Sequence, residues 1–126
     1  MKNQNIVHKE LSYKIIGIMY DVFNELGYGF QEKYYCRAIA VLLREHSLNF
    51  KEQVYIPIIF KENKIGGYYL DFLIENKIIL EIKKGDRFFK KDIEQIYAYL
   101  KAHGLQLGIL IRFAKDGIKI KRIVNL

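Results

Sequence analysis

The sequence contains one cysteine, one proline and no tryptophan among its 126 residues. The single cysteine, Cys36, excludes an internal disulfide, so a reducing, cytoplasmic setting is the simplest interpretation. No histidine lies near Cys36 in the sequence, and we therefore do not expect a catalytic thiol. The scarcity of proline, together with a hydrophobic fraction of 51%, excludes a disordered chain.

Long apolar runs and common cofactor motifs are also absent. No stretch approaches the ~20 apolar residues of a membrane span. Residues 1–5 are polar and no apolar run follows them, so we expect no signal peptide. The three histidines lack ligand spacing and no glycine-rich phosphate loop is present, which argues against a zinc site and against nucleotide triphosphate hydrolysis.

What the chain does have is positive charge and enough length for one domain. The formal net charge is +7, from 21 basic and 14 acidic residues. Basic chains attract polyanions and gain affinity by releasing counterions, so nucleic acid is a candidate partner. No repeat, linker or low-complexity tract interrupts residues 1–126, which we interpret as a single domain.

Hydrophobic periodicity predicts three helices and five strands in the order α, α, β, β, β, α, β, β. The helices are predicted at residues 9–26, 31–46 and 88–102, and the strands at residues 50–60, 67–74, 77–83, 107–113 and 118–124. Pro57 favours an edge position for the first strand, and the nearly all-apolar fourth strand is predicted to be central. Helices on both sides of a mixed α/β sheet are expected.

Two helical faces can be assigned from the same periodicity. In the second helix, one face carries Tyr34, Ala38, Val41 and Leu42. In the third helix, the predicted buried stripe consists of Phe89, Ile93, Ile96, Tyr97 and Leu100.

The hairpin between the second and third strands can pair in two ways. A two-residue loop at residues 76–77 would set apolar residues against acidic ones, pairing Asp71 with Ile82. A three-residue loop at residues 75–77 would pair Ile74 with Ile78, Phe72 with Leu80 and Leu70 with Ile82, all on one face. Register follows burial of the apolar face, so the three-residue loop is predicted.

The predicted register places Asp71 directly opposite Glu81, with Cβ atoms about 5 Å apart. Lys83 points the same way as Glu81, because alternate residues of a strand share a face. Two carboxylates this close repel unless a cation lies between them, and Mg²⁺ suits one or two carboxylates with waters and phosphate oxygens. The alternative is a solvated sheet face with a surface salt bridge.

At these residues the chain resembles the PD-(D/E)xK nuclease superfamily, through Asp71, a ten-residue step and Glu81-Ile82-Lys83. The element order resembles the restriction-endonuclease-like αβββαβ core of that superfamily. Leu70 stands in place of the proline of the motif.

A second motif is more specific. Residues 29–35, Gly-Phe-Gln-Glu-Lys-Tyr-Tyr, resemble the G-x-x-E-x-x-Y signature of a family of small bacterial and archaeal proteins within this superfamily. Residues 95–101 resemble its Q-x-x-x-Y-L-K helix. Residues 107–113 resemble its strand ending in Asn-Phe, with Arg112 in place of the usual Asn, and residues 121–124 resemble its last strand.

The resemblance implies metal-dependent cleavage of phosphodiester bonds. It assigns Mg²⁺, with Mn²⁺ as a substitute, to Asp71, Glu81 and the backbone carbonyl of Ile82, and positioning of the water to Lys83. It adds Glu32, as a further metal ligand, and Gln95 to the site. The alternatives are an acid favoured at a helix N-terminus for Glu32 and an exposed helix residue for Gln95. Supporting roles in packing are expected for Gly29, Tyr35 and Tyr99.

A basic cluster follows the third strand, where Lys84, Arg87, Lys90 and Lys91 continue from Lys83. These side chains could track a phosphate backbone, or they could be a solvated helix start.

The leading hypothesis is therefore a Mg²⁺-dependent nuclease that acts on DNA. A non-catalytic nucleic-acid-binding or partner-binding domain on the same fold is the alternative, since a fold does not determine a function. RNA stays open as a substrate, because nothing in the sequence addresses a 2′-hydroxyl. Specific cutting of a short DNA site would need a homodimer or a partner.

Overall fold

Three helices and five strands follow one another in the predicted order in the computed structural model, which describes residues 6–126. The elements are α1 (Lys9–Leu26), α2 (Glu32–Glu45), β1 (Phe50–Phe60), β2 (Asn63–Ile74), β3 (Ile78–Lys83), α3 (Lys90–His103), β4 (Leu107–Ala114) and β5 (Gly117–Val124). Residues 1–5, on which the expectation about a signal peptide rests, lie outside the described part. None of the helices within residues 6–126 is long and apolar enough to cross a membrane.

The five strands form one mixed sheet in the order β1-β2-β3-β4-β5. Strands β3 and β4 are parallel, with α3 as the crossover between them, and the other neighbours are antiparallel. Strand β1, which contains Pro57, lies at an edge as predicted. All eight residues of β4 are buried between β3 and β5, which confirms its predicted interior position.

Each face of the sheet has its own hydrophobic core, so the predicted α/β layering with helices on both sides is confirmed. Helices α1 and α2 cover one face, packing on β3 and β4 side chains such as Leu80 and Ile109. Helix α3 covers the other face, where Ile96 and Leu100 pack on Ile79 and Leu110. This arrangement is consistent with a restriction-endonuclease-like core.

The predicted stripe of α3 is partly wrong. Phe89 and Tyr97 are 41% and 40% exposed, whereas Asp92 and Tyr99 are buried at 6% and 7%. The helix begins at Lys90, so Phe89 precedes it as the N-cap and Phe88 packs against the core instead. The side of α3 that carries Asp92 and Tyr99 is therefore the one that faces the sheet.

The predicted face of α2 is also displaced. Tyr34 and Val41 are exposed, and the buried residues of this helix are Tyr35, Ile39, Ala40 and Leu43. Spacing alone did not distinguish these two neighbouring stripes, because both contain large apolar residues at helical intervals.

The three-residue hairpin loop is confirmed. Ile74 pairs with Ile78 and Phe72 with Leu80, and the backbone N–H of Lys77 donates to the Ile74 carbonyl at 2.9 Å. Glu75 and Asn76 have φ values of 53° and 54°, which the turn between the strands requires.

The expected pairing of Leu70 with Ile82 on one apolar face is wrong. Leu70 packs in the core under α3, whereas Phe72 and Ile82 pack under α1 and α2. Opposite Asp71 on β1, Gln53 has a φ of 52°, and it is missing from the pairs between Glu52–Phe72 and Val54–Leu70. This irregularity changes the alternation of β2 at Asp71, next to the carboxylates.

Candidate active site

The site lies where β2 and β3 stop pairing through their backbones. Beyond Phe72 and Leu80 the ladder ends, and side chains connect the strands instead. The backbone N–H of Asp71 donates to Glu81 Oε1 at 2.8 Å, and the backbone N–H of Ile82 donates to Asp71 Oδ2 at 2.7 Å. Each carboxylate thus uses one oxygen to hold the opposite strand.

Both carboxyl groups are held in an environment that disfavours their charge. Burial, and next the charge of Asp71, raise the pKa of Glu81 to about 8. Burial also raises the pKa of Asp71, against the opposing effects of the Ile82 N–H and the Lys83 charge. A cation bound between two adjacent acids with raised pKa values would stabilise their ionised forms.

Lys83 supplies the positive charge next to this pair. Its Nζ lies 3.6 Å from Glu81 Oε2, and its side chain is 33% exposed. Burial lowers the pKa of Lys83, but the charges of Glu81, Asp92 and Glu32 outweigh that effect and raise it above the ordinary value. The lysine is therefore a cation that can reach both the carboxylates and solvent.

Asp92 and Gln53 are two neighbours that the sequence did not identify. Asp92, on α3, places its Oδ1 3.6 Å from Lys83 Nζ. Gln53, on β1 opposite Asp71, is the last of the neighbours that oppose the burial-driven rise in the pKa of Asp71. Asp92 was detectable in principle, because it precedes Gln95 by three residues and so shares its helix face. No sequence signal marks the irregular backbone at Gln53.

Glu32, Gly29 and Tyr35 form one local structure between α1 and β3. Gly29 has a φ of 108°, in the region that favours glycine. The Tyr35 hydroxyl donates to the Gly27 carbonyl and accepts from the Phe30 N–H, so it closes the loop. Glu32 begins α2 and accepts a 2.7 Å hydrogen bond from the Lys84 N–H, directly after β3.

Gln95 and Tyr99 lie one turn apart on α3. Gln95 is partly buried, but no hydrogen bond joins it to Asp71 or Glu81 in the part of the chain the structure describes. Tyr99 is buried and its ring stacks on His103, with centroids 4.1 Å apart. Tyr99 therefore makes a packing contact, and Gln95 lies on the same helix face as Asp92.

The basic cluster and Cys36 lie around the same end of the sheet. Lys84, Arg87, Lys90 and Lys91 are all exposed, between the end of β3 and the first turn of α3. Cys36, one turn after Glu32, has its pKa raised by burial and then by the nearby Asp71 and Glu81 carboxylates. This thiol stays protonated, in agreement with the expectation that it is not a nucleophile.

The donor set suits a hard divalent cation of the kind that keeps several waters. Within residues 6–126, no cluster of three or more His, Cys, Asp or Glu side chains could enclose a metal. Mg²⁺ is commonly held by one or two carboxylates, with water and substrate phosphate completing its ligands. Asp71 and Glu81 fit that pattern, because each has a second oxygen besides the one that accepts a backbone hydrogen bond. Burial raises both pKa values, so the ionised carboxylates lack full compensation unless a cation binds.

A mixed α/β sheet with two acids and a lysine close together on adjacent strands is an arrangement that can hold a hard divalent cation beside a positive charge. Comparison with known proteins identifies the family. A sequence model of the PD-(D/E)XK nuclease superfamily matches residues 9–123, and the chain belongs to that superfamily.

Two other comparisons add little. No curated protein matches the chain. The crystal structure of SSO0001 is similar over 97% of this chain and 79% of that one, with 15% sequence identity and a TM-score of 0.49.

Proposed function

We propose that this protein is a Mg²⁺-dependent nuclease of the GxxExxY family that hydrolyses phosphodiester bonds in DNA, with Mn²⁺ as an alternative ion. The observation that supports this most directly is the pair formed by the partly buried Asp71 and the buried Glu81, which are joined through backbone amides and have Lys83 beside them. Membership in the nuclease superfamily supports a nucleic-acid substrate in general.

In this proposal Asp71 and Glu81, with the Ile82 carbonyl, hold the metal ion. Bound there, Mg²⁺ supplies a Lewis acid for a phosphate oxygen and lowers the pKa of the attacking water. Lys83 orients that water and offsets the negative charge that grows on the phosphate. Asp92 restrains the Lys83 ammonium from the side of α3, where the two groups are 3.6 Å apart.

Glu32 and Gln95 have auxiliary roles in the same proposal. Glu32 fixes the backbone N–H of Lys84 and thereby the first residues after β3. Gln95, on the helix face of Asp92, would contact the phosphate or a water when substrate is bound. The exposed cations Lys84, Arg87, Lys90 and Lys91 would follow the backbone of the strand.

A cleavage assay with a charge-matched control tests the proposal. Purified protein is incubated with duplex, single-stranded and branched DNA in Mg²⁺, Mn²⁺ or EDTA. We expect cutting with either ion, none in EDTA and none by the Glu81→Ala variant. Glu45→Ala, an exposed acid at the end of α2, should cut like the wild type.

Absence of cleavage on all three DNA forms with both ions would overturn the proposal. Thermal unfolding in the same buffers then separates the remaining interpretations. A non-catalytic binding domain should show no stabilisation by Mg²⁺ or Mn²⁺ that depends on Asp71, since only a ligand of the folded state raises its stability.

A further inference from the structure

A cleft of about 530 Å³ lies beside Lys83, at the carboxyl ends of β3 and β4. One wall is formed by Gly85 after β3, another by Tyr28 from the loop between α1 and α2, and a third by the turn between β4 and β5. Its volume is within the roughly 300–1,000 Å³ typical of ligand sites. None of the residues proposed for catalysis lines this cleft.

Arg112 is the central charge of the cleft, and it is only 6% exposed. Its Nη1 donates to the Gly85 carbonyl, and its guanidinium lies 4.8 Å from the centre of the Phe88 ring. No described residue accepts a hydrogen bond from the buried Nε. Within residues 6–126, no acidic side chain forms an ion pair with this guanidinium.

A buried cation with no direct ion-pair partner is unfavourable, and an anionic ligand would supply such a partner. Guanidinium groups suit phosphate because their planar donors can make two charge-assisted hydrogen bonds to it.

The rest of the lining favours an anion with an attached base. Lys115 and Lys119 add two cations, and the acids present are Asp86 and Asp116. Lys119 already pairs with Asp116 at 3.2 Å, and Asp86 offsets one of the two remaining cations, Lys115 and Arg112, so the lining keeps one net positive charge. The Tyr28 ring is 53% exposed and offers a surface on which a base can stack.

The residue that anchors the cleft lies next to the proposed catalytic centre in the sheet. Arg112 on β4 is the register partner of Lys83 on β3, and adjacent strands lie about 4.8 Å apart. A phosphate at Arg112 would therefore lie one strand away from a phosphate at Lys83.

We propose that this cleft binds a second phosphate group of the nucleic-acid strand, with Arg112 as its anchor and Lys115 as a supporting charge. The proposal rests on the proposed function for the identity of the ligand as nucleic acid. The phosphate is either a terminal monoester or an internal diester next to the cleaved bond.

The test is a binding measurement in EDTA, where no metal-dependent cleavage occurs. Fluorescence anisotropy gives Kd for labelled single-stranded 12-mers that carry either a 5′-phosphate or a 5′-hydroxyl, over a series of salt concentrations. The proteins are the wild type, Arg112→Gln, Lys115→Ala and Lys77→Ala. Lys77 is an exposed lysine at the opposite end of β3 and serves as the charge-matched control.

We expect Arg112→Gln to weaken binding about tenfold, because it removes a charge-assisted contact. Its slope of log K against log salt should be shallower by about 0.7, the value for one phosphate contact on a single strand. Lys115→Ala should change affinity and slope in the same direction, and Lys77→Ala should change neither.

The two oligonucleotides distinguish the sources of the phosphate. If wild-type affinity falls to the Arg112→Gln level when the 5′-phosphate is removed, the ligand is a terminal monoester. If removing the 5′-phosphate leaves the wild-type affinity unchanged while the Arg112→Gln and Lys115→Ala variants still bind weakly, the ligand is an internal diester. Both outcomes support the cleft as a phosphate site.

The inference would be overturned if Lys115→Ala and folded Arg112→Gln both bind with the affinity and the salt slope of the wild type. An equal loss in Lys77→Ala would also overturn it, because it would indicate a general charge effect. If circular dichroism shows that Arg112→Gln does not fold, Lys115→Ala decides alone. Because binding is measured without metal, a protein that binds as expected but never cuts DNA contradicts only the nuclease proposal.

Discussion

Asp71 and Glu81 are close acids, the first partly buried and the second buried, and each also accepts a hydrogen bond from the backbone of the opposite strand. Ionising both groups in the metal-free protein is unfavourable, because two like charges would be held close together away from water, and the raised pKa of Glu81 reflects that cost. Stability and metal binding should therefore respond in opposite directions to the loss of one charge.

Asp71→Asn tests that opposition at the residue scale. Asparagine keeps an oxygen that can accept the Ile82 N–H but carries no charge. In EDTA we expect its Tm to rise by about 3 °C, consistent with a gain of roughly 1 kcal/mol. With Mg²⁺ it should show neither the stabilisation nor the cleavage of the wild type. A lower Tm in EDTA would contradict the interpretation of the pair.

The pKa of Glu81 gives a pH dependence with a definite sign. Its pKa is about 8 in the folded protein, against an ordinary value of 4.5 for the unfolded chain, so the native state holds the proton more tightly. The associated stability is complete below about pH 4.5 and is lost as the pH rises through about 8. In EDTA, Tm should fall over this window, and the fall should be smaller in Glu81→Gln.

Asp92 contributes to the site through Lys83 alone, at 3.6 Å. Asp92→Asn should lower the cleavage rate about tenfold, as expected for removal of a partner that orients a catalytic group. Metal-dependent stabilisation should be unchanged, because Asp71 and Glu81 are intact. Asp21→Asn, at an exposed position on α1, is the control and should cut at the wild-type rate.

At the scale of elements, the loop before α2 positions Glu32 against the end of β3. The Tyr35 hydroxyl bonds to both Gly27 and Phe30, while the adjacent Tyr34 is 42% exposed. The two neighbouring tyrosines provide a pair of substitutions that remove the same hydroxyl group, from a buried residue that holds the loop and from an exposed one that does not.

Tyr35→Phe should lower the free energy of unfolding by about 1–3 kcal/mol, the cost of leaving polar backbone groups without a partner. Tyr34→Phe should change it by less than about 0.5 kcal/mol. Chemical denaturation of both variants measures the difference. Equal stabilities would show that the hydroxyl does not hold the loop.

At the scale of the whole molecule, the element order, the layers and the hairpin register could be predicted from the sequence. Each depends on the alternation or periodicity of large apolar residues, and Phe72, Leu80 and the interior of β4 follow that pattern. The sequence predicted that Asp71 and Glu81 would be close by extending that register, but the ladder ends at Phe72 and Leu80, and side-chain to backbone hydrogen bonds make the contact instead.

The features that were missed depend on geometry that spacing does not encode. The stripe of α3 was misassigned for two reasons. Phe89 lies at the N-cap position and not within the helix, and the buried Asp92 lies on the face that Phe89 was expected to cover. Leu70 was misplaced because Gln53 adopts a positive φ in the middle of β1. Neither feature has a signature in residue type alone.

The turn at residues 75–77 has a consequence for how this chain can be altered. It lies at the far end of β3 from Lys83, and the Asn49 N–H, which donates to Glu75 Oε2 at 2.6 Å, ties it to the start of β1. Yet its length fixes which residue of β2 meets Glu81. Removing or adding one residue there is equivalent to an active-site substitution, although every catalytic side chain would still be present in the sequence.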